Sequence, residues 1–269
     1  LREYANATPL NRMEMHDTKI GVICSGICYQ YAREVFGEGA SYLKLGFTYP
    51  MPDKLIREFA KKVEEFTGNS ITPEKLGEAI RIINNKRKAM ARVYNARKSE
   101  CLPISGRDVL LMTQISFFDD PVRCAEMCNR LADELEQRIK DGVSVVPEGT
   151  KRILVTGTPM AVPNWKLHNI IETSGAAVVC EEMCTGTRYF ENLVDETKTT
   201  LDDQFMALSE RYMKTNCACF TPNHGRIDDL LRMVKEYKVD GVIDCSLKFC
   251  CLYDTEKYSV ARALKEAGV

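Results

Sequence analysis

Residues 240–253 read DGVIDCSLKFCCLY, and how this stretch divides decides the fold. Its first part, Gly241–Cys245 (GVIDC), is a short apolar run with β-branched residues, the pattern of a strand inside a sheet. Helical spacing returns over Thr255–Ala267. Working back, Arg226–Tyr237 and Leu201–Lys214 read as helices, Ala176–Cys180 (AAVVC) as a strand, Asn164–Thr173 as a helix and Arg152–Thr156 (RILVT) as a strand. Strands separated by helices predict a parallel, flavodoxin-like α/β sheet with short loops at the strand ends. After the last helix only Gly268-Val269 remain where another strand is called for. The domain spanning 151–269 is therefore expected to be truncated at its C-terminus.

Upstream the pattern changes. Thr72-Pro73-Glu74-Lys75 is a helix start, with threonine as N-cap and proline at the first helical position. A long charged helix over residues 73–98 carries Leu76, Ile80, Ile83, Met90 and Tyr94 as its apolar stripe, and Leu102-Pro103-Ile104-Ser105-Gly106 breaks it. Arg107–Ser116 and Pro121–Lys140 read as two further helices, so residues 67–150 form a helical middle segment. Residues 1–66 alternate again: strand Lys19–Cys24 (KIGVIC), turn Ser25-Gly26, helix Ile27–Phe36, strand Ser41–Leu45 and helix Pro52–Glu65.

The 269 residues are 45% hydrophobic and 28% charged, ordinary for a globular protein with two modest cores. A net charge of −1 gives no global basic field for nucleic acid or acidic lipid. No apolar run approaches the roughly 20 residues of a membrane span, and Leu1-Arg2-Glu3-Tyr4 has no signal-peptide character. A cytoplasmic location is expected. Against that setting 12 cysteines are many. A reducing compartment disfavours disulfides, which leaves buried thiols or metal-binding thiolates.

Position separates these readings. In an open α/β sheet, ligands bind at loops beyond the carboxyl ends of strands. Cys184 follows the strand Ala176–Cys180, Cys250 and Cys251 follow the strand ending at Cys245, and Cys217 and Cys219 sit in a loop between two helices. Three loops able to converge are what a fold-built cluster site needs. Cys124 and Cys128, four apart on a helix, read as packing residues; burial alone would also explain Cys180 and Cys245. There is no paired CxxC array for a zinc ribbon, and His16, His168 and His224 show no ligand spacing. His168 is expected in a helix packed on the sheet. Thr156-Gly157-Thr158-Pro159-Met160 could approach a phosphate or acyl group through backbone N–H groups, without a P-loop lysine. Arg188 and Lys248 could offset the charge of a thiolate-bound cluster or be solvated. Glu181 and Glu182 read as structural more readily than as proton-transfer groups.

From Phe66 onward the chain resembles the 2-hydroxyacyl-CoA dehydratase family, which includes benzoyl-CoA-reductase-type and double-cubane-cluster proteins. The resemblance is carried by Ile71–Ala79 (ITPEKLGEA), Pro103-Ile104-Ser105-Gly106, Arg152–Pro159 (RILVTGTP), Glu182-Met183-Cys184-Thr185-Gly186, Asn216-Cys217-Ala218-Cys219 and Asp240–Tyr253. It implies an iron–sulfur cluster, with Cys250 the leading ligand and Cys184 next. The additional Cys217, Cys219 and Cys245 look like the double-cubane branch rather than a single 4Fe–4S site. It also implies low-potential electron transfer to an acyl-CoA or small-molecule substrate, an ATP-dependent activator iron–sulfur protein as partner, and a dimer. In the dehydratases the electron generates a ketyl radical on the thioester carbonyl, which allows loss of the hydroxyl group.

Residues 1–65 resemble something else, the α subunit of indolepyruvate ferredoxin oxidoreductase. That likeness runs through Asn11–Met15, Lys19–Tyr31, Tyr42–Gly46 and Leu55–Phe59. The chain thus reads as a junction of two pieces, in which the amino-terminal α/β domain that supplies cluster ligands in the family is replaced. Cys24 and Cys28 could substitute, with core packing as the competing reading. Two alternatives stand beside the dehydratase reading: a fragment of a 2-oxoacid oxidoreductase, and a cluster-free structural subunit.

Overall fold

Short alternating elements build the first part of the chain. The structure, a computed structural model, describes residues 1–16, 19–220 and 222–269 and divides into two compact units, Leu1–Thr72 and Pro73–Val269. In the first, α1 (Arg2–Ala7) precedes β1 (Arg12–Glu14), β2 (Gly21–Ser25), α2 (Ile27–Phe36), β3 (Ser41–Leu45) and α3 (Asp53–Thr67). β3 is central, parallel to β2 and antiparallel to β1. Leu43, Leu45 and Phe59 form a small core with Leu55, Ile56 and Val63, the helical spacing of α3 turning one apolar face onto the sheet. α1 and β1 are too short to show a period in the sequence.

The second unit opens with α4 (Pro73–Ala96), α5 (Gly106–Ile115) and α6 (Pro121–Lys140). Ser105 caps α5 by accepting the Asp108 N–H at 3.1 Å. Asp120 caps α6 by accepting those of Val122 and Arg123 at 3.0 Å, ahead of Pro121. Met90, Val93 and Tyr94 of α4 pack against Cys124, Cys128, Ala132 and Leu135 of α6. The two cysteines are small hydrophobes in a helix interface, as their spacing indicated.

There follow β4 (Lys151–Gly157), α7 (Lys166–Thr173), β5 (Ala176–Glu182), α8 (Thr187–Phe190), α9 (Leu201–Met213), α10 (His224–Glu236), β6 (Gly241–Cys245) and α11 (Cys251–Glu266). The strands are all parallel, in the order β5-β4-β6. Leu230 and Met233 of α10 and Val260 and Leu264 of α11 cover one face, against Leu154 and Cys180. Leu110 of α5 and Ile171 of α7 cover the other, against Val155 and Val178. Each such side chain, fully buried, contributes on the order of 1.5–3 kcal/mol. The expected α/β layout holds. α11 begins at Cys251 rather than at Thr255, so Cys250 is its N-cap residue and not part of a free loop. Among the described residues no helix is long and apolar enough to cross a membrane.

Candidate functional site

A parallel sheet ordered β5-β4-β6 reverses its winding between β4 and β6, and the crevice at such a point is where ligands bind. Gly157 ends β4 there with φ +116°, and a Cβ on it would lie 2.2 Å from the Cys245 carbonyl oxygen. Only glycine lets the two strand ends lie this close. The Thr158 N–H and hydroxyl both donate to that carbonyl, at 2.9 and 3.0 Å, and the Leu247 N–H donates to Thr158 Oγ1 at 3.2 Å. The Met160 N–H donates to Thr185 Oγ1 at 3.0 Å. The Thr158 and Met160 amides are therefore engaged within the protein. This corrects the reading of this loop as a phosphate or acyl cradle.

Strand register assembles what lies beneath. Thr156 is level with Glu182 on one side and with Asp244 on the other, so the three side chains form a row on one sheet face. Arg226 of α10 closes over the row. Its Nε donates to Glu182 at 3.1 Å, one Nη to Thr156 at 2.9 Å and the other to Glu256 of α11 at 2.5 Å. Thr156 in turn donates to Glu182 at 2.5 Å. Arg188 of α8 donates to Glu182 and to the Tyr253 hydroxyl. Burial pushes the Glu182 carboxyl above its ordinary range even though both arginines pull it down. Burial likewise raises Asp244, whose Oδ2 has no hydrogen-bond partner and stands 4.0 Å from Arg226.

The neighbouring residue Glu181 points to the opposite face, as strand alternation requires. It is fully buried there with Arg97, which donates to it at 3.1 and 2.8 Å, and with His168 at 3.1 Å. Burial would raise this carboxyl, but Arg97 and His168 outweigh it and hold it at about 2. Both glutamates are thus structural centres, and His168 is the packed helix residue expected. Arg188 is not a solvated charge. Arg97, Arg226 and Tyr253, which complete the two networks, carry no local signal in the sequence; only strand register and helix packing bring them to these carboxylates.

The structure sorts the cysteines. Cys184 is exposed in the turn after β5, where a Cβ on Gly186 would sit 2.3 Å from the Glu181 carbonyl oxygen. Cys217 and Cys219 lie between α9 and α10, and Thr221 of that loop lies outside the described residues. Burial opposes ionisation of Cys217, yet hydrogen bonds from Cys219, the Arg188 charge and the Tyr253 hydroxyl together bring its thiol below the usual value. Cys219 is pushed up chiefly by its hydrogen bond to Cys217, with burial and the charges of Cys217 and Cys184 acting in the same direction. Cys250 starts the helix that carries Tyr253. Cys245 instead packs with Met160 and Val155 on the other sheet face. Burial pushes Cys128 up to about 12 and the Cys180 thiol well above its ordinary value, as suits inert core residues.

An iron–sulfur cluster takes thiolates presented by loops. Cys184, Cys217 and Cys219 fit that donor set in kind, with Arg188 able to balance its charge. Among the described residues, no three His, Cys, Asp or Glu side chains close on a single metal ion.

The family model of the 2-hydroxyglutaryl-CoA dehydratase D-component matches residues 49–269. An Escherichia coli (strain K12) protein named as dehydratase subunit YjiM is 32% identical over 207 residues, 77% of this chain and 52% of that protein. The (R)-phenyllactyl-CoA dehydratase beta subunit of Clostridium sporogenes is 26% identical over 215 residues, 78% of this chain and 53% of its own. A shorter match, 38% identical over 69 residues, joins 24% of this chain to 11% of the indolepyruvate oxidoreductase subunit IorA of Methanothermobacter marburgensis. The chain spans about half the length of the dehydratase relatives it matches. It belongs to the 2-hydroxyglutaryl-CoA dehydratase D-component family.

Proposed function

We propose that this chain is an iron–sulfur component of the 2-hydroxyacyl-CoA dehydratase type. In this reading Cys250, Cys184, Cys217 and Cys219 supply the thiolates. Cys245, on the opposite sheet face, anchors the loop through its carbonyl. The reading is supported by hydrogen bonds that tie the cysteine-bearing segments to α11, the helix that Cys250 starts: Arg188, four residues after Cys184, donates to Tyr253, and Asn223, at the end of the Cys217 loop, donates to Glu256. When bound, a 4Fe–4S or double-cubane cluster would supply a low-potential electron for an acyl-CoA or small-molecule substrate. An ATP-dependent activator iron–sulfur protein would deliver that electron, and a dimer would complete the site.

The chain's own residues have defined tasks in this account. Arg188 and Arg226 place two positive charges under the cysteine loops, and Glu182 and Glu256 fix their orientation. Helices on both faces of the sheet exclude water from below, which with the thiolates sets a cluster's potential. Anaerobic purification of the full chain, followed by iron and sulfide analysis and EPR of the reduced protein, tests the proposal. Stoichiometric iron and sulfide with a reduced-cluster signal supports it; protein free of both after reconstitution refutes it.

A further inference from the structure

The short segment after β4 is fastened at both ends to segments that bear cysteines. At one end the buried Thr158 donates its N–H and its hydroxyl to the Cys245 carbonyl, at 2.9 and 3.0 Å, and its Oγ1 accepts the Leu247 N–H at 3.2 Å. The Leu247 carbonyl in turn accepts the Cys250 N–H at 3.0 Å, so hydrogen bonds run from the Thr158 side chain through Leu247 to the backbone of Cys250. At the other end the Met160 N–H donates at 3.0 Å to Oγ1 of Thr185, the residue after Cys184. That end is also pinned to α5: the Met160 carbonyl accepts the Gln114 side-chain amide at 2.8 Å, and Gln114 Oε1 accepts the Trp165 indole N–H at 2.6 Å. Between Leu247 and Cys250 lies Phe249, with φ +72° and its ring 84% exposed. A bulky residue in the left-handed region is strained, and this one gains little from burial, so its surroundings must hold it. The Leu247 bonds on its amino-terminal side do so. A valine would fill the space of Thr158 and keep the N–H bond to Cys245; what the hydroxyl adds is the hold on Leu247.

We infer that residues 158–160 are a brace that sets the spacing between the Cys184 turn and the segment leading into Cys250, with Thr158 as its positioning residue. The consequence at a cluster rests on the reading of Cys184 and Cys250 as ligands, whereas the brace itself stands on hydrogen bonds within the chain. Partners that fix the residues around a metal group orient its ligands, and their loss changes its affinity or its electronic properties.

Hydrogen–deuterium exchange of the full chain without iron gives the first readout, comparing the wild type with Thr158→Val, Thr158→Ser and Thr173→Val. Thr158→Val should exchange about fivefold faster over residues 246–251, the equivalent of one ordinary hydrogen bond, with α4 and α6 as in the wild type. Thr158→Ser keeps the hydroxyl and should restore the wild-type rate. Thr173→Val, at the end of α7, should leave both cysteine segments unchanged. Should Thr158→Val fail to fold, Thr185→Val cuts the other end of the brace, and the same rise is expected over residues 159–161 and 184–187. The second readout is EPR of the reduced protein after anaerobic reconstitution with ferrous iron and sulfide. Thr158→Val should shift the signal or lose iron, and Thr158→Ser should match the wild type. Unchanged exchange in the valine variant overturns the inference, whether or not iron binds, as does faster exchange that Thr158→Ser fails to restore. Faster exchange with an unchanged signal overturns the positioning role of Thr158 at a cluster. Faster, serine-restored exchange in proteins that bind no iron upholds the brace and sinks the cluster reading.

Discussion

Replacing Glu181 by glutamine keeps the size of the side chain and removes its charge from a site with no exposed surface. Arg97 then loses its ionic partner and stays buried. The carboxyl is held at about 2 against an ordinary value of 4.5, and each unit is worth about 1.4 kcal/mol, so the ionised form contributes roughly 3 kcal/mol. Breaking a buried pair by removing one partner typically costs about 3–5 kcal/mol, in agreement. A depressed carboxyl stabilises the protein fully above its unfolded-state value and loses that contribution as pH falls toward its folded value. The gap between wild type and Glu181→Gln should therefore be widest near neutrality and shrink by about 1 kcal/mol between pH 6 and pH 3.5. The chain has one tryptophan, Trp165, just before α7, the helix that carries His168, so its fluorescence under urea reports this unit alone. A variant within about 0.5 kcal/mol of wild type at pH 7, or a gap that does not narrow on acidification, would refute the reasoning; surface changes fall in that range.

The adjacent Glu182 should behave with the opposite sign, because burial raises its carboxyl. Its stabilising contribution is present below the unfolded value and is lost as pH rises, so Glu182→Gln should gain on the wild type as pH rises from 5 to 8 in the same urea assay. Gly157→Ala should cost at least about 2 kcal/mol, since the added Cβ meets the Cys245 carbonyl oxygen in a positive-φ backbone. Trp165 fluorescence would again measure it, and a neutral result would mean that the β4–β6 crevice is looser than described. In native protein at pH 7.5, iodoacetamide should label Cys217 well before Cys128 or Cys180, because one thiol is favoured as thiolate and the others are buried and raised. Peptide mass spectrometry gives the order, and early labelling of Cys128 would contradict it.

The α/β layout was legible because apolar runs such as RILVT, AAVVC and GVIDC are short, β-branched and separated by helical spacing. The turn that carries Cys184 was legible for the same reason, since the end of a strand marks where a loop must be; the Cys217–Cys219 loop showed instead as a break between two helical stretches. What lay hidden depends on register. Whether Glu181 or Glu182 faces α10 is decided by pleat parity and by the irregularity in the β4–β5 pairing near Ile153, which no local pattern records. Arg97 and Arg226 sit at the end of one helix and the start of another, positions where an arginine ordinarily meets solvent, and only the packed fold buries them. The Thr156–Met160 loop misled for a related reason. Its free N–H groups looked available in the sequence, whereas Cys245 and Thr185, remote in the chain, accept those of Thr158 and Met160. α11 starts at Cys251, earlier than the expected Thr255, because Cys251-Leu252-Tyr253-Asp254 take helical geometry although two adjacent cysteines give no helix-start signal.

The most direct test of the central claim is iron content after anaerobic reconstitution, measured side by side on wild type, Cys250→Ser, Cys217→Ser and Cys124→Ser. Cys250→Ser and Cys217→Ser should lose iron or change the EPR signal, whereas Cys124→Ser, altered only in the α4–α6 core, should bind iron as the wild type does. Equal iron in all four proteins, or none in any, would contradict it.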